Sequence, residues 1–304
     1  MNERTPRSIQ EYLDQLRDAL RDADAALRQD ALYDAEEYLR AELNGKSDRP
    51  ESEVIAGIVN SYGAPAEVAE IYRQTEETVS RAMRTPPPRE RRSIIGRFFA
   101  IYADPRAYSS LFYMFLALVT GIFYFTWTVA GVSISLGVSL LIIGLPFFLL
   151  FLGSIRLFSL LEGRIVETFL GVRMPRRPEY PAQDAGILDR IVEMLRDVRT
   201  WSTMLYMLLM LPLGVLYFGV TVSLVSASLG LVAAPVFYLF ADGANFQLHY
   251  FYWDGEAYDL TGLESLLLCL AGFLMLTASM HLFRGLGVLQ GHVARGLLVK
   301  PGRD

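Results

Sequence analysis

Hydrophobic positions along this chain change their rhythm near residue 100. Before it they recur at helical spacing among charges; after it they run for tens of residues without a break. Ile9, Tyr12, Leu13, Leu16 and Leu20 share one face of a 3.6-residue helix, which predicts a first helix opening near Ile9. Leu27, Ala31, Ala35, Tyr38 and Leu39 form the stripe of a second, from about Asp24 to Leu43, with Asn44-Gly45 as a left-handed stop. Glu53 to Tyr62, ending at Gly63, predicts a third helix, and Ala66 to about Met83 a fourth. Pro65 suits the start of the fourth, because its missing N–H would be unpaired there anyway. Four short helices can bury a small core between them, so residues 1–85 read as a helical module.

Thr85-Pro-Pro-Pro-Arg-Glu-Arg-Arg ends that module, since consecutive prolines stiffen the chain and stop a helix. Residues 86–103 then read as a linker and a short interfacial helix, with Ile94, Ile95, Phe98, Phe99 and Tyr102 at helical spacing among arginines. From Ala107 to Ile155 no residue is charged. A span needs about 20 apolar residues, so this stretch predicts two, at 109–130 and 135–157, with the turn in Gly131-Val-Ser-Ile-Ser. Ile187, Leu188, Ile191, Val192 and Leu195 predict a second interfacial helix, and two further spans follow at 203–225 and 262–284.

The membrane half is a repeat. A shift of 93 positions pairs Asp104 with Asp197, Arg106 with Arg199, Ser109 with Ser202, Tyr113 with Tyr206, Gly121 with Gly214 and Thr128 with Thr221. A shift of 128 pairs Arg156 with Arg284, and the segment that follows each with its counterpart. The difference is an insertion at 226–261. The expected architecture is therefore all-α: the small module and a four-helix transmembrane bundle (104–304) built from two parallel repeats. Arginines and lysines fall before residue 107, between 156 and 199, or after 283, which places both termini in the cytoplasm of a bacterial inner membrane.

Composition agrees with this division. Hydrophobic residues make up 52% of the 304 and charged ones 20%, so the charge must be segregated into a soluble part. The net charge of −5 is mild and does not suggest direct nucleic-acid binding. Cys269 is the single cysteine, which excludes an intrachain disulfide and a cysteine-based metal site. The N-terminal part shows no signal-peptide core. No nucleophile elbow, P-loop, paired zinc motif or dinucleotide fingerprint occurs. No catalytic residue, metal ligand or cofactor is therefore expected.

Three groups of residues carry the remaining functional expectations. Asp34, Glu36, Glu37 and Tyr38, with Gly63 and Pro65 at the helix junction, are candidates for docking a basic partner; the alternative for the acidic stripe that includes Asp30 is a solvated helix face. In the insertion, His249, Tyr250, Tyr252, Trp253, Asp254 and Glu256 are a candidate sensing loop, with a hairpin turning at Asp254-Gly255; the alternative is an interfacial aromatic belt. Arg91, Arg92, Asp104, Arg106, Asp197, Arg199 and Trp201 are expected to anchor and hinge the chain at the inner membrane surface.

Two resemblances extend this reading. Leu32-Tyr-Asp-Ala-Glu-Glu-Tyr-Leu-Arg-Ala-Glu-Leu, followed by Ser61-Tyr-Gly-Ala-Pro-Ala-Glu-Val-Ala, resembles the HAAS signalling domain over residues 8–80. It departs in Tyr62, where leucine is usual, and in a longer Asn44–Pro50 loop. HAAS domains are fused to membrane sensor modules and encoded beside PadR-type transcriptional regulators, so the resemblance implies a cytoplasmic adaptor for such a regulator. The Asp104-Pro-Arg entry, Gly144-Leu-Pro, the Trp253-Asp-Gly-Glu-Ala-Tyr-Asp-Leu-Thr loop and Ala294-Arg-Gly-Leu-Leu-Val-Lys-Pro are similar to the sensor domain at the membrane end of bacterial two-component sensor kinases. Here no phosphoacceptor helix or ATP-binding box follows. The expected function is a non-enzymatic membrane sensor, in contact with the lipid bilayer and possible as a homo-oligomer, that signals through its N-terminal module to a PadR-type regulator. The alternative is a small oligomeric membrane transporter or channel-like protein, against which stand the parallel repeats and the lack of a charged residue in any span.

Overall fold

The computed structural model describes residues 5–46, 49–83, 93–138, 144–175, 192, 194–241, 251–253, 256–258 and 261–299. Ten helices and one hairpin make up the described residues: α1 Ile9–Ala19, α2 Ala25–Gly45, α3 Glu51–Tyr62, α4 Pro65–Met83, α5 Ile94–Phe99, α6 Pro105–Val138, α7 Gly144–Leu170, α8 Val198–Val232, α9 Ala234–Ala241, β1 Phe251–Trp253, β2 Glu256–Tyr258 and α10 Gly262–Leu298. A 3₁₀ turn, Ala100–Ala103, joins α5 to the Asp104 corner. The architecture is helical, as the periodicity predicts. The chain divides into two compact units, one of Met1–Glu90, Ala130–Tyr206 and His292–Asp304, the other of Arg91–Val129 and Met207–Gly291.

In the first unit, α1 to α4 bury Tyr12, Leu16, Leu39, Ile55, Ile58 and Val68 in one core. Each helix starts where its sequence provides for the unpaired N–H groups. Ser8 caps α1 through a bond from the Glu11 N–H (3.2 Å), and Asp24 caps α2 through one from Ala26 (2.9 Å). Pro65 is the first residue of α4 and is buried. Gly63 ends α3 at φ +110°, a conformation that side chains with a Cβ resist, and its carbonyl accepts the Tyr12 hydroxyl at 2.9 Å. The left-handed stop expected at Asn44-Gly45 does not form. Helix α2 includes Gly45, which keeps negative φ, and the Lys46 N–H turns back to the Leu43 carbonyl instead.

The spans differ from their expected limits in a consistent way. Helix α6 runs through Gly131 and Ser135 to Val138, and α8 runs through Ser226 and Ser228 to Val232. Both therefore absorb the same stretch of the repeat, and the turn expected at 131–135 and the insertion expected from 226 begin later. Nothing in these segments interrupts a helix, so the backbone continues to bond itself beyond the length a bilayer requires. Helices α6, α8 and α10 are long and apolar enough to cross a membrane. Helix α7 carries Arg156, Glu162, Arg164 and Glu167, and its uncharged part is confined to Gly144–Ile155. Twelve helical residues rise about 18 Å, short of the roughly 30 Å of a hydrocarbon core. Four equal spans are thus not what forms among the described residues. The second interfacial helix, expected at 187–195, lies mostly outside them.

The second unit shows how the repeats meet. A Cβ placed on Gly121 of α6 would strike the backbone carbonyl of Met210 on α8, and one on Gly214 of α8 would strike that of Ala117 on α6. Gly121 and Gly214 are repeat equivalents, and so are Ala117 and Met210. Beyond this crossing, Thr128 near the end of α6 bonds Met207 near the start of α8, while Leu111 near the start of α6 shares a cluster with Leu224 and Val225. Two parallel helices would hold equivalent residues level, leaving Thr128 and Met207 roughly 20 Å apart along the axis. The repeats are therefore antiparallel. This differs from the parallel arrangement expected of the repeats.

Because backbone rather than a side-chain tip fills the space at Gly121, replacement by alanine has no easy relief. Gly121→Ala or Gly214→Ala should destabilise the membrane half by about 1–3 kcal/mol, read as earlier thermal unfolding in detergent micelles. Gly137→Ala, on the same helix with open space around it, should be neutral or stabilising by roughly 0.5–1 kcal/mol.

Candidate functional site

The two Asp-x-Arg corners are built alike, bond for bond. The Asp104 carboxylate accepts the Arg106 N–H at 3.0 Å and Asp197 accepts that of Arg199 at 3.1 Å, each capping its helix. One turn on, the Ser109 and Ser202 hydroxyls donate to the carbonyls of Arg106 and Arg199, both at 3.1 Å. Tyr108 donates to the Tyr102 carbonyl at 3.1 Å, and its equivalent Trp201 donates to that of Leu195 at 2.8 Å. Arg106 and Trp201 are exposed.

The ion pairs at these corners are exchanged between repeats. Arg284, of the second repeat, binds Asp104 of the first at 2.9 Å, and Arg156, of the first, binds Asp197 of the second at 3.3 Å. The same exchange recurs deeper. In the second unit Gln290 donates to the Tyr113 hydroxyl (3.4 Å) and lies 3.3 Å from the Met210 sulfur, while Tyr217 donates to its carbonyl oxygen (2.9 Å). In the first unit Tyr206, the equivalent of Tyr113, donates to Glu162, the equivalent of Gln290, at 2.8 Å. Glu162 and Gln290 are 1% and 0% exposed. A buried carboxyl thus occupies the position that a neutral amide fills in the other repeat. Glu162 lies past the span expected at 135–157, and its sequence signal is the alignment of Arg-x-x-x-x-x-Glu with Arg-x-x-x-x-x-Gln.

Three arginines of the membrane half hold the helical module. Arg173, just after α7, binds Asp30 at 3.2 Å and Glu76 at 3.4 Å, with Glu167 of α7 at 3.4 Å completing its shell. Arg199, in the first turn of α8, donates to the Gln29 amide oxygen at 3.1 Å, and Arg295, in the last turn of α10, binds Asp24 at 2.6 Å. Partly buried charge pairs of this kind stay intact because separating them strands a charge away from water. The start of α2 therefore meets the ends of three membrane-half elements.

The expected docking residues lie elsewhere on the module and have internal work. Asp34 accepts the Tyr72 hydroxyl at 3.0 Å, and burial, followed by the Asp34 carboxylate, pushes that hydroxyl well above its ordinary value of 10.0. Tyr38 stacks on Tyr62 with ring centroids 4.5 Å apart, and Glu36 pairs with Arg40 at 2.8 Å. Glu37 alone of the acidic candidates is exposed. Asp30, of the same acidic stripe, pairs with Arg173 of the membrane half. In the candidate sensing loop, Tyr252 and Trp253 lie on β1 and Glu256 on β2, with Trp253 opposite Glu256 in an antiparallel pair, as the predicted hairpin requires. His249, Tyr250 and Asp254, like Arg91 and Arg92, lie outside the described residues.

Residues 113–298 match the model of the Sensor family, described as "Putative sensor". This chain belongs to that family. The matched stretch begins at Tyr113 and closes at Leu298, so it holds the whole exchanged pattern except the Asp104 corner. No curated protein and no solved structure matches the chain. The family's defining region is thus the one in which α7, α8 and α10 carry Glu162, Tyr206 and Gln290.

If the exchanged ion pairs hold the repeats in register, reversing one charge should cost more than reversing both. Asp197→Arg should destabilise this Sensor-family protein by about 1–3 kcal/mol, between the values for exposed and buried pairs, since Arg156 is half-exposed. Adding Arg156→Asp should recover most of that loss, measured as a double-mutant cycle of unfolding temperatures in detergent.

Proposed function

We propose that this protein is a non-enzymatic sensor of the bacterial inner membrane that relays an envelope or bilayer signal to a cytoplasmic partner through its N-terminal helical module. The observation that carries the reading is the contact of that module with Arg173, Arg199 and Arg295. These residues stand at the ends of three separate elements of the Sensor domain, so a shift of any of those elements pulls on the start of α2. Arginines at membrane-helix ends favour the cytoplasmic side, which supports a cytoplasmic module. Membership of the Sensor family supports the sensing role. The likeness of residues 8–80 to the HAAS domain supports a PadR-type regulator as the partner, and the bilayer itself is the other.

Full-length protein in detergent should capture a purified PadR-type regulator, and Arg173→Glu combined with Arg295→Glu should change the captured amount by loosening the module. A regulator ignored equally by wild type and by this variant would sink the proposal.

A second reading, a small membrane transporter or channel-like protein, is favoured by two observations. Antiparallel repeats are a recurrent transporter architecture, and a buried ionisable residue such as Glu162 is a feature of coupling sites. Solute- or proton-coupled flux in proteoliposomes that disappears in Glu162→Gln would establish it over the sensor; absence of flux for wild type leaves the sensor reading in place.

A further inference from the structure

The repeat supplies its own control for the chemistry of Glu162. In one copy of the exchanged pair the amide of Gln290 donates to a tyrosine hydroxyl, Tyr113; in the other the Tyr206 hydroxyl donates to the Glu162 carboxyl. Glutamine is the neutral isostere of a protonated glutamic acid. A protonated Glu162 can therefore donate to Tyr206 as Gln290 does to Tyr113, whereas an ionised one can only accept. Adding or removing one proton reverses the donor and acceptor roles at a buried bond between α7 and α8.

We propose that Glu162 is a proton-binding site of this Sensor domain, and that its protonation resets the α7–α8 contact. The inference rests on the sensor reading for its consequence, and names the proton as the stimulus. Four further observations support the site. Glu162 is buried at 1% exposure, and a buried carboxyl is costly to ionise unless it is well compensated. Its bond to Tyr206 ties α7 to α8, and Arg156 ties α7 to Asp197, the residue that caps α8. Asp197 immediately precedes α8 and accepts the Arg199 N–H, and Arg199 holds Gln29 of the module, so a shift of α8 has a direct route to α2. A Cβ placed on Gly163, beside Glu162, would lie 3.4 Å from the side chain of Met174, next to Arg173, which holds Asp30 and Glu76.

Among the described residues, the titratable and charged groups near this contact are the following. On α7 itself Arg156 binds Asp197, and Arg164 lies 3.6 Å from Glu167. On the segment after α7, Arg173 is shared by Glu167, Asp30 and Glu76. Helix α8 presents Tyr206 to the carboxyl, and its first turn carries Arg199, bound to Gln29. The end of α10, which packs on α8 through the bond from Ser202 to the Leu297 carbonyl (2.8 Å), carries His292 and Arg295, the latter bound to Asp24.

The test is an infrared pH titration of the full-length protein in phosphatidylcholine nanodiscs. Wild type should show a protonated-carboxyl C=O stretch that grows as pH falls and is lost in Glu162→Gln, with Gln290→Glu adding a second such band. Tyr206→Phe, which keeps the carboxyl and removes its partner hydroxyl, should shift the wild-type band; it also serves if Glu162→Gln fails to fold. An unchanged titration in Glu162→Gln, no titrating carboxyl band in wild type, or no shift in Tyr206→Phe overturns the site. So does a band that responds to sodium at fixed pH and not to pH. Hydrogen exchange of Ala25–Asp30, followed in the same samples, should vary with pH in wild type and lose that dependence in Glu162→Gln. A titrating band without that exchange response upholds the proton site while removing the sensor relay, so the two failures are distinguishable.

Discussion

The crossing of α6 over α8 at Gly121 and Gly214 is the constraint on which the membrane half depends. Two glycines at equivalent places in a repeat let two backbones approach until each glycine faces the other helix's carbonyl. In a bilayer this closeness matters more than it would in water, because lipid tails compete equally well for apolar side chains and leave packing to decide association. Once the two helices cross there and run in opposite directions, the partners of every other side chain along them are settled. Thr128 comes level with Met207, Leu111 with Leu224, and Tyr113 with Tyr217 across Gln290.

Exchange of partners between repeats follows from that crossing. Asp104 finds Arg284 and Asp197 finds Arg156, so neither repeat completes its own corner. An arginine and an aspartate near a membrane surface each cost desolvation energy on burial, and the pairing offsets it only with the partner in place. Each of these ion pairs thus joins residues of both repeats. The exchange also gives the pair Glu162 and Gln290 its meaning, since the same surroundings hold an acid once and an amide once. At this position the two copies of the repeat differ by a titratable group.

The module is attached by charge. Its core is made by its own four helices, and its link to the membrane half rests on Arg173, Arg199 and Arg295 reaching Asp30, Glu76, Gln29 and Asp24. Such contacts are strong where partly buried and specific in geometry, yet they rearrange without unfolding a core. That combination suits a joint whose task is to move.

Much of this was legible in the chain itself, and the boundary of legibility has a physical reason. Helix positions in the module follow from 3.6-residue periodicity, Gly63 and Pro65, all of which act within a few residues of where they stand. The repeat came from Asp, Arg, Gly and Tyr at a common offset, and the hairpin from alternation around Asp254-Gly255. An acidic stripe looks the same in sequence whether a residue faces water, as Glu37 does, or a neighbouring tyrosine, as Asp34 does. The direction of the repeats was beyond reach for a deeper reason. Apolar content and helical period are unchanged when a helix is turned end for end, so one chain pattern is compatible with parallel and antiparallel packing. What the sequence by itself determined was a helical module joined to a duplicated membrane unit. Only the tertiary structure decided that the duplicates cross antiparallel and trade their partners, because direction is a property of which backbone meets which, and two glycines 93 residues apart state that only when they touch.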